Sequence, residues 1–69
     1  MTIKQFDKII EVVRNGGVVI VDRYSVYCVD NHEITENTNI QDIFNYDKEG
    51  YSFYIKDDTK PFYKLEEII

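Results

Sequence analysis

The sequence predicts an α+β domain: an N-terminal helix packed on a small, mostly antiparallel sheet of four or five strands, with a short second helix. Three patterns lead there. Apolar residues recur every three or four positions over residues 3–13, and a Val/Ile run follows a double glycine. Two later segments rich in Tyr, Phe and Ile flank an acidic turn, as the arms of a hairpin would. The 69 residues hold one core, so 1–69 is read as a single domain.

The first helix spans residues 3–15. Ile3, Phe6, Ile10 and Val13 form its apolar stripe, widened by Ile9 and Val12. Thr2 and Gln5 have the spacing of a capping box, and Asn15-Gly16-Gly17 supplies the left-handed residue that ends helices. Val18 to Asp22 is a short continuous apolar run, the pattern of a covered or central strand. Asp22-Arg23 then reads as a turn, Tyr24 to Val29 as a second strand, and Asp30-Asn31 as the next turn. His32 to Thr35 is expected to add a brief third strand.

Residues 37–39 precede Ile40, Ile43 and Phe44, which share one helical face. The spacing predicts a helix of one or two turns, ended near Tyr46 by Asp47-Lys48-Glu49-Gly50. Tyr51 to Lys56 is the following strand, Asp57 to Lys60 its turn, and Phe62 to Glu67 the last strand. Pro61 has no backbone donor, which suits a strand start or a sheet edge. The segments YSVYCVDN (24–31) and YSFYIKDD (51–58) match at four of eight positions. Both are read as strands running into an acidic turn, because two imperfect units are too few for a repeat array.

Charge narrows the function classes. Residues 1–23 carry four basic and three acidic side chains, whereas residues 24–69 carry four lysines against ten acids. Phosphate backbones need clustered Lys or Arg, so direct nucleic-acid binding is not expected, nor is adhesion to an anionic membrane. The longest apolar run, Val18 to Val21, is far too short to cross a bilayer. The first residues lack a signal-peptide core, and the lone Cys28 cannot staple the chain internally. These features lead us to expect a cytoplasmic protein.

No catalytic constellation emerges. His32-Glu33-Ile34-Thr35-Glu36 lacks the second histidine of a zinc-protease helix. Asp30-Asn31 and Asp57-Asp58 lack the alternating ligands of a calcium loop and serve better as turns. Cys28 is expected to be a small buried residue on a strand face with Tyr24 and Val26. No cofactor or metal is expected, and the chain is read as non-enzymatic.

What stands out is acid interleaved with tyrosine. Tyr offers apolar area and a hydroxyl while freezing few torsions, which suits recognition surfaces. The expected partner surface comprises Tyr27, Asp30, Glu33, Glu36, Asp47, Glu49, Tyr54, Asp57 and Asp58, with Asp42, Glu66 and Glu67 adding charge. It would complement a basic protein surface. Replacing Tyr54 with Ala, or reversing Asp57 and Asp58 to Lys, is expected to weaken that binding while folding survives. In size, acidity, lone Cys and α+β layout, and in the stretches ENTNIQDIFNYDKEGYSFYIKDD and KLEEII, the chain resembles phage-encoded inhibitors of bacterial defence of the anti-CRISPR type. That resemblance implies a stoichiometric partner such as a CRISPR effector, blocked without chemistry in the host cytoplasm. The alternative is a self-associating structural or accessory domain, pairing through a sheet edge at Val18 to Val21 or through the terminal hairpin. Monomer and homodimer are both open at this point.

Overall fold

The computed structural model describes residues 1–24, 26, 27, 29–59 and 61–69. Two helices and four strands follow one another as α1 (Ile3–Arg14), β1 (Val18–Tyr24), β2 (Val29–Ile34), α2 (Ile40–Lys48), β3 (Ser52–Lys56) and β4 (Tyr63–Lys64), with a 3-10 turn at Leu65–Glu67. The sheet is antiparallel throughout, in the order β2-β1-β3-β4. This is the α+β arrangement that the sequence predicts.

α1 begins as its cap residues dictate. The Gln5 amide donates to Thr2 Oγ1 at 3.1 Å, and the Thr2 amide donates to Gln5 Oε1 at 2.9 Å. It ends in a Schellman motif. Gly16 sits at φ 82°, its N–H donates to the Val13 carbonyl, and the Gly17 N–H donates to the Val12 carbonyl. Between these caps Ile9 and Val12 are buried, while Phe6, Ile10 and Val13 are half-buried against the same core. Ile3, expected on the stripe, is exposed on the first turn.

The core lies between the helices and one face of the sheet. Val19 and Val21 of β1, Ile34 of β2, Phe53 and Ile55 of β3 and Tyr63 of β4 point into it, joined by Ile43 of α2 and by Leu65. Strand side chains alternate between faces. Val18, Ile20, Asp22 and Tyr24 therefore point to the opposite face, with Val29, Asn31 and Glu33 of β2, Ser52, Tyr54 and Lys56 of β3, and Lys64 of β4. Both helices bury their apolar sides in the one core, so among the described residues the opposite face carries no covering element.

Several boundaries differ from expectation. Asp22-Arg23 does not turn; both residues extend β1, where Asp22 pairs with Asn31 and Ser52, and Arg23 pairs with Asp30. Ladder partners on β1 outweigh the local preference of Asp for turns. β1 ends at Tyr24 and β2 begins at Val29, its ladder partner, so the expected single strand from Tyr24 to Val29 is instead the end of one strand and the start of the next. The expected third strand at 32–35 is the second half of β2. Consequently the YSVY and YSFY segments occupy unlike positions, the first at a hairpin end and the second in β3 and the residue before it. α2 continues to Lys48, because the polar residues after Tyr46 do not break a helix. The last strand shortens to two residues, and Leu65 turns inward as Glu67 accepts the Lys64 amide at 2.9 Å. The expectations for Ser25, Cys28 and Lys60 lie outside the described residues.

β1 is central, not an edge. Self-association by pairing along Val18 to Val21 is thereby excluded, since β2 and β3 already flank that strand. No helix is long and apolar enough to cross a membrane, among the described residues.

Candidate functional site

The hairpin of β1 and β2 ends in exposed apolar surface. Tyr24 is 80% exposed, Val26 and Tyr27 are each 96%, and Val29 is 53%. Residues 24–29 contain no charged side chain. Burying large apolar groups is the main drive of folding, so several left uncovered on one hairpin make it the candidate contact surface.

The base of this hairpin is held by a polar and aromatic cluster. His32 Nε2 lies 2.8 Å from Asp30 Oδ1, and the Tyr51 hydroxyl donates to Asp30 Oδ2. The Arg23 guanidinium sits over the Tyr51 ring, 5.1 Å from its centroid. His32 in turn stacks on Tyr46 of α2 at 5.3 Å, and Tyr46 meets Tyr51 edge-on at 4.9 Å. The hydrogen bond from Tyr51 holds the Asp30 carboxyl below its usual range, aided by His32 and Arg23. The same bond pushes the Tyr51 hydroxyl up. His32 is thus a structural residue of the cluster. Its ring links β2 to α2 and gives the projecting hairpin a fixed footing.

The nine residues expected on one partner surface divide among several. Tyr27 is at the hairpin end and Asp30 at its base. Glu33 and Tyr54 share the uncovered sheet face, as does Ser52, the expected neighbour of Tyr54. Glu36 lies in the loop before α2. Asp47 on α2 accepts from the Met1 amino nitrogen at 2.8 Å, and Glu49 caps that helix. Asp57 and Asp58 follow β3 at the other end of the sheet, because Lys56 pairs with Val18 whereas Ser52 pairs with Asp22. Sequence reasoning missed Tyr24, Val26 and Val29 as exposed residues. Their signal was present in the uncharged run itself, whose neighbours Asp22, Arg23 and Asp30 carry the charge.

Asp57 is committed inside the chain. It accepts from the Thr59 amide at 2.9 Å, the Thr59 hydroxyl and the Tyr63 hydroxyl at 2.9 Å, and Lys8 Nζ lies 3.5 Å away. The Thr59 bonds, above all, hold its carboxyl far below the ordinary carboxylate range. Burial and the bond to Asp57 push the Tyr63 hydroxyl up to about 12. Reversal of Asp57 to Lys is therefore expected to break the turn, so of the two acids only Asp58 is free to test binding. A group whose folded pKa is depressed stabilises the fold above its unfolded value, about 3.9, and loses that contribution as pH falls towards the folded value. Thermal midpoints should fall steadily as pH drops below about 4. In Asp57→Asn the midpoint at neutral pH should be lower and its acid dependence flatter; an unchanged acid slope would contradict this role. Circular dichroism melts across that range measure both.

A groove of about 440 Å3 runs between the end of α1 and the β3–β4 turn, lined by Lys8, Glu11, Gly17, Lys56, Asp57 and Asp58 among others. Its charges answer one another, with Lys8 facing Asp57. No cluster of three or more His, Cys, Asp or Glu side chains could hold a metal ion, among the described residues. Comparison with protein-family models, with curated proteins and with solved structures finds no match to this chain.

Proposed function

We propose that this chain is a non-enzymatic protein-binding inhibitor that inserts the end of its β1–β2 hairpin into a cleft flanked by basic residues. The observation that supports this reading most is the exposure of Tyr24, Val26 and Tyr27 on an uncharged projection from a body with net charge −5. An apolar, aromatic tip supplies contact area at low entropic cost, as central interface residues do. The acidic body steers it towards a positive surface and sets the dependence on salt. Basic clefts of this kind are common on proteins that handle nucleic acids. The resemblance to phage-encoded inhibitors of the anti-CRISPR type points the same way, to a CRISPR effector or a similar enzyme whose nucleic-acid channel is occluded.

Affinity capture from phage-infected bacterial lysate tests the reading, with nucleic acid added as competitor. Wild type should retain a basic protein that added DNA or RNA displaces and that salt weakens. Tyr27→Ala should lower retention roughly tenfold or more, the range of a central aromatic contact, while far-UV circular dichroism shows the variant folded. Asp58→Lys should weaken binding more modestly and flatten its salt dependence. Retention that neither variant alters, or that nucleic acid leaves untouched, would rule this mode out. So would turnover of a substrate by the purified chain.

A further inference from the structure

The uncovered face of the sheet has an ordered charge pattern. In the ladder, Glu33 pairs with Ile20, Ile20 with Tyr54, and Tyr54 with Lys64. One row therefore crosses all four strands: an acid on β2, apolar and aromatic side chains in the middle, and a lysine on β4. Ile20 and Tyr54 are half-buried by their neighbours, while Glu33 and Lys64 are exposed at the two ends. Val18 lies one row below, beside Lys56, and Asp22 one row above, beside Ser52.

We infer that a second copy of this chain docks face to face on this side of the sheet, about a two-fold axis parallel to the strands and midway between β1 and β3. Such an axis reverses the order of the row. Glu33 of each copy then faces Lys64 of the other, and Ile20 faces Tyr54. The other in-plane axis, perpendicular to the strands, would set Glu33 against Glu33 and Lys64 against Lys64, so charge selects the first. Aligned sheets pack about 10 Å apart and cross near −30°. The row ends lie about 7 Å from the axis, so that crossing shifts them by only about 4 Å, within reach of Glu and Lys side chains.

Glu33 makes no ion pair among the described residues, and Lys64 has one at 3.9 Å to exposed Glu66. The lysine is thus available to exchange partners. The face covers roughly 400 Å2 a side, below the ~800 Å2 per partner of a standard interface. The pair is therefore weak and forms as concentration rises. Tyr24 and Val29 border this face, but Val26 and Tyr27 lie beyond the paired strands, so Tyr27→Ala tells this contact from the partner proposed above.

Sedimentation of the full chain from about 10 μM to about 1 mM reads the association, in the range expected for so small an interface. A monomer–dimer equilibrium weakened by salt is the expected result. Glu33→Lys and Lys64→Glu should each weaken the dimer by roughly tenfold or more, because the two-fold repeats every like-charge clash. The double variant, Glu33→Lys with Lys64→Glu, should restore it, while far-UV circular dichroism shows all three folded. A chain that stays monomeric throughout would overturn the inference. So would a dimer indifferent to the single swaps, or one that the double swap fails to rescue. A dimer lost on Tyr27→Ala, yet intact in the swaps, would place the contact at the hairpin instead.

Discussion

Ile55→Ala is expected to lose about 2–5 kcal/mol, the range for deleting a buried isoleucine. Ile55 is fully buried on β3, paired with Val19 on one side and Tyr63 on the other. Its side chain therefore packs beneath three strands at once, and truncation leaves a void that a rigid sheet closes poorly. At about 0.05–0.15 kcal/mol per residue, a chain of 69 residues has roughly 3–10 kcal/mol in total. The substitution removes a large share of that, and the variant should be partly unfolded at room temperature. Urea titration followed by circular dichroism measures the loss. Ile55→Val should cost only about 0.5–1.5 kcal/mol. A midpoint that Ile55→Ala leaves in place would mean the strand is not where the core depends on it.

Gly17→Ala should cost about 1–3 kcal/mol, the range for overpacking a close contact. A Cβ at this position would lie 2.6 Å from Val12 Cγ1 and 2.8 Å from the Lys56 carbonyl oxygen. One neighbour is a side chain of α1, but the other is backbone of β3 and cannot swing away. The helix end would have to lift from the sheet. Gly16, by contrast, has open space around a built Cβ, and its substitution is strained through its φ of 82° instead. The two glycines are thus required for different reasons. The pair Gly17→Ala and Val12→Ala separates them further: shortening Val12 should recover little, because the Lys56 carbonyl contact remains. Full recovery in that double variant would show that the carbonyl yields.

Local chemistry made much of this fold legible. The capping pair Thr2 and Gln5, the three-and-four spacing of Phe6, Ile9, Val12 and Val13, and the glycine stop each act within one turn of helix, so sequence neighbours suffice to read them. The four-stranded sheet was legible as a class for the same reason. The hairpin was not, because Asp22 and Arg23 are good turn residues overruled by partners 30 positions away in the case of Ser52. Tyr24 and Tyr51 illustrate the limit: the same residue in the same local sequence is exposed in one place and hydrogen-bonded to Asp30 in the other. Acidity was legible, but its distribution was not. Asp30, Asp47 and Asp57 read alike in sequence as free surface charge, yet each is engaged: Asp30 by Tyr51, Asp47 by the Met1 amino group, and Asp57 by nearby Thr59 and Tyr63 with Lys8 from α1.

The strand order also sets a schedule for folding. β1 can zip with β2 across a short reversal, but its pairing with β3 joins residues 30 to 38 apart in sequence, from Asp22 with Ser52 to Val18 with Lys56. Loop closure costs entropy before contacts repay it, so ladders of long sequence separation are slow to nucleate. The hairpin that bears Tyr27 can therefore arise early, while the ladder that encloses Ile55 arrives late. Mutations around Ile55 should then act mainly by hastening unfolding, and refolding rates should change little.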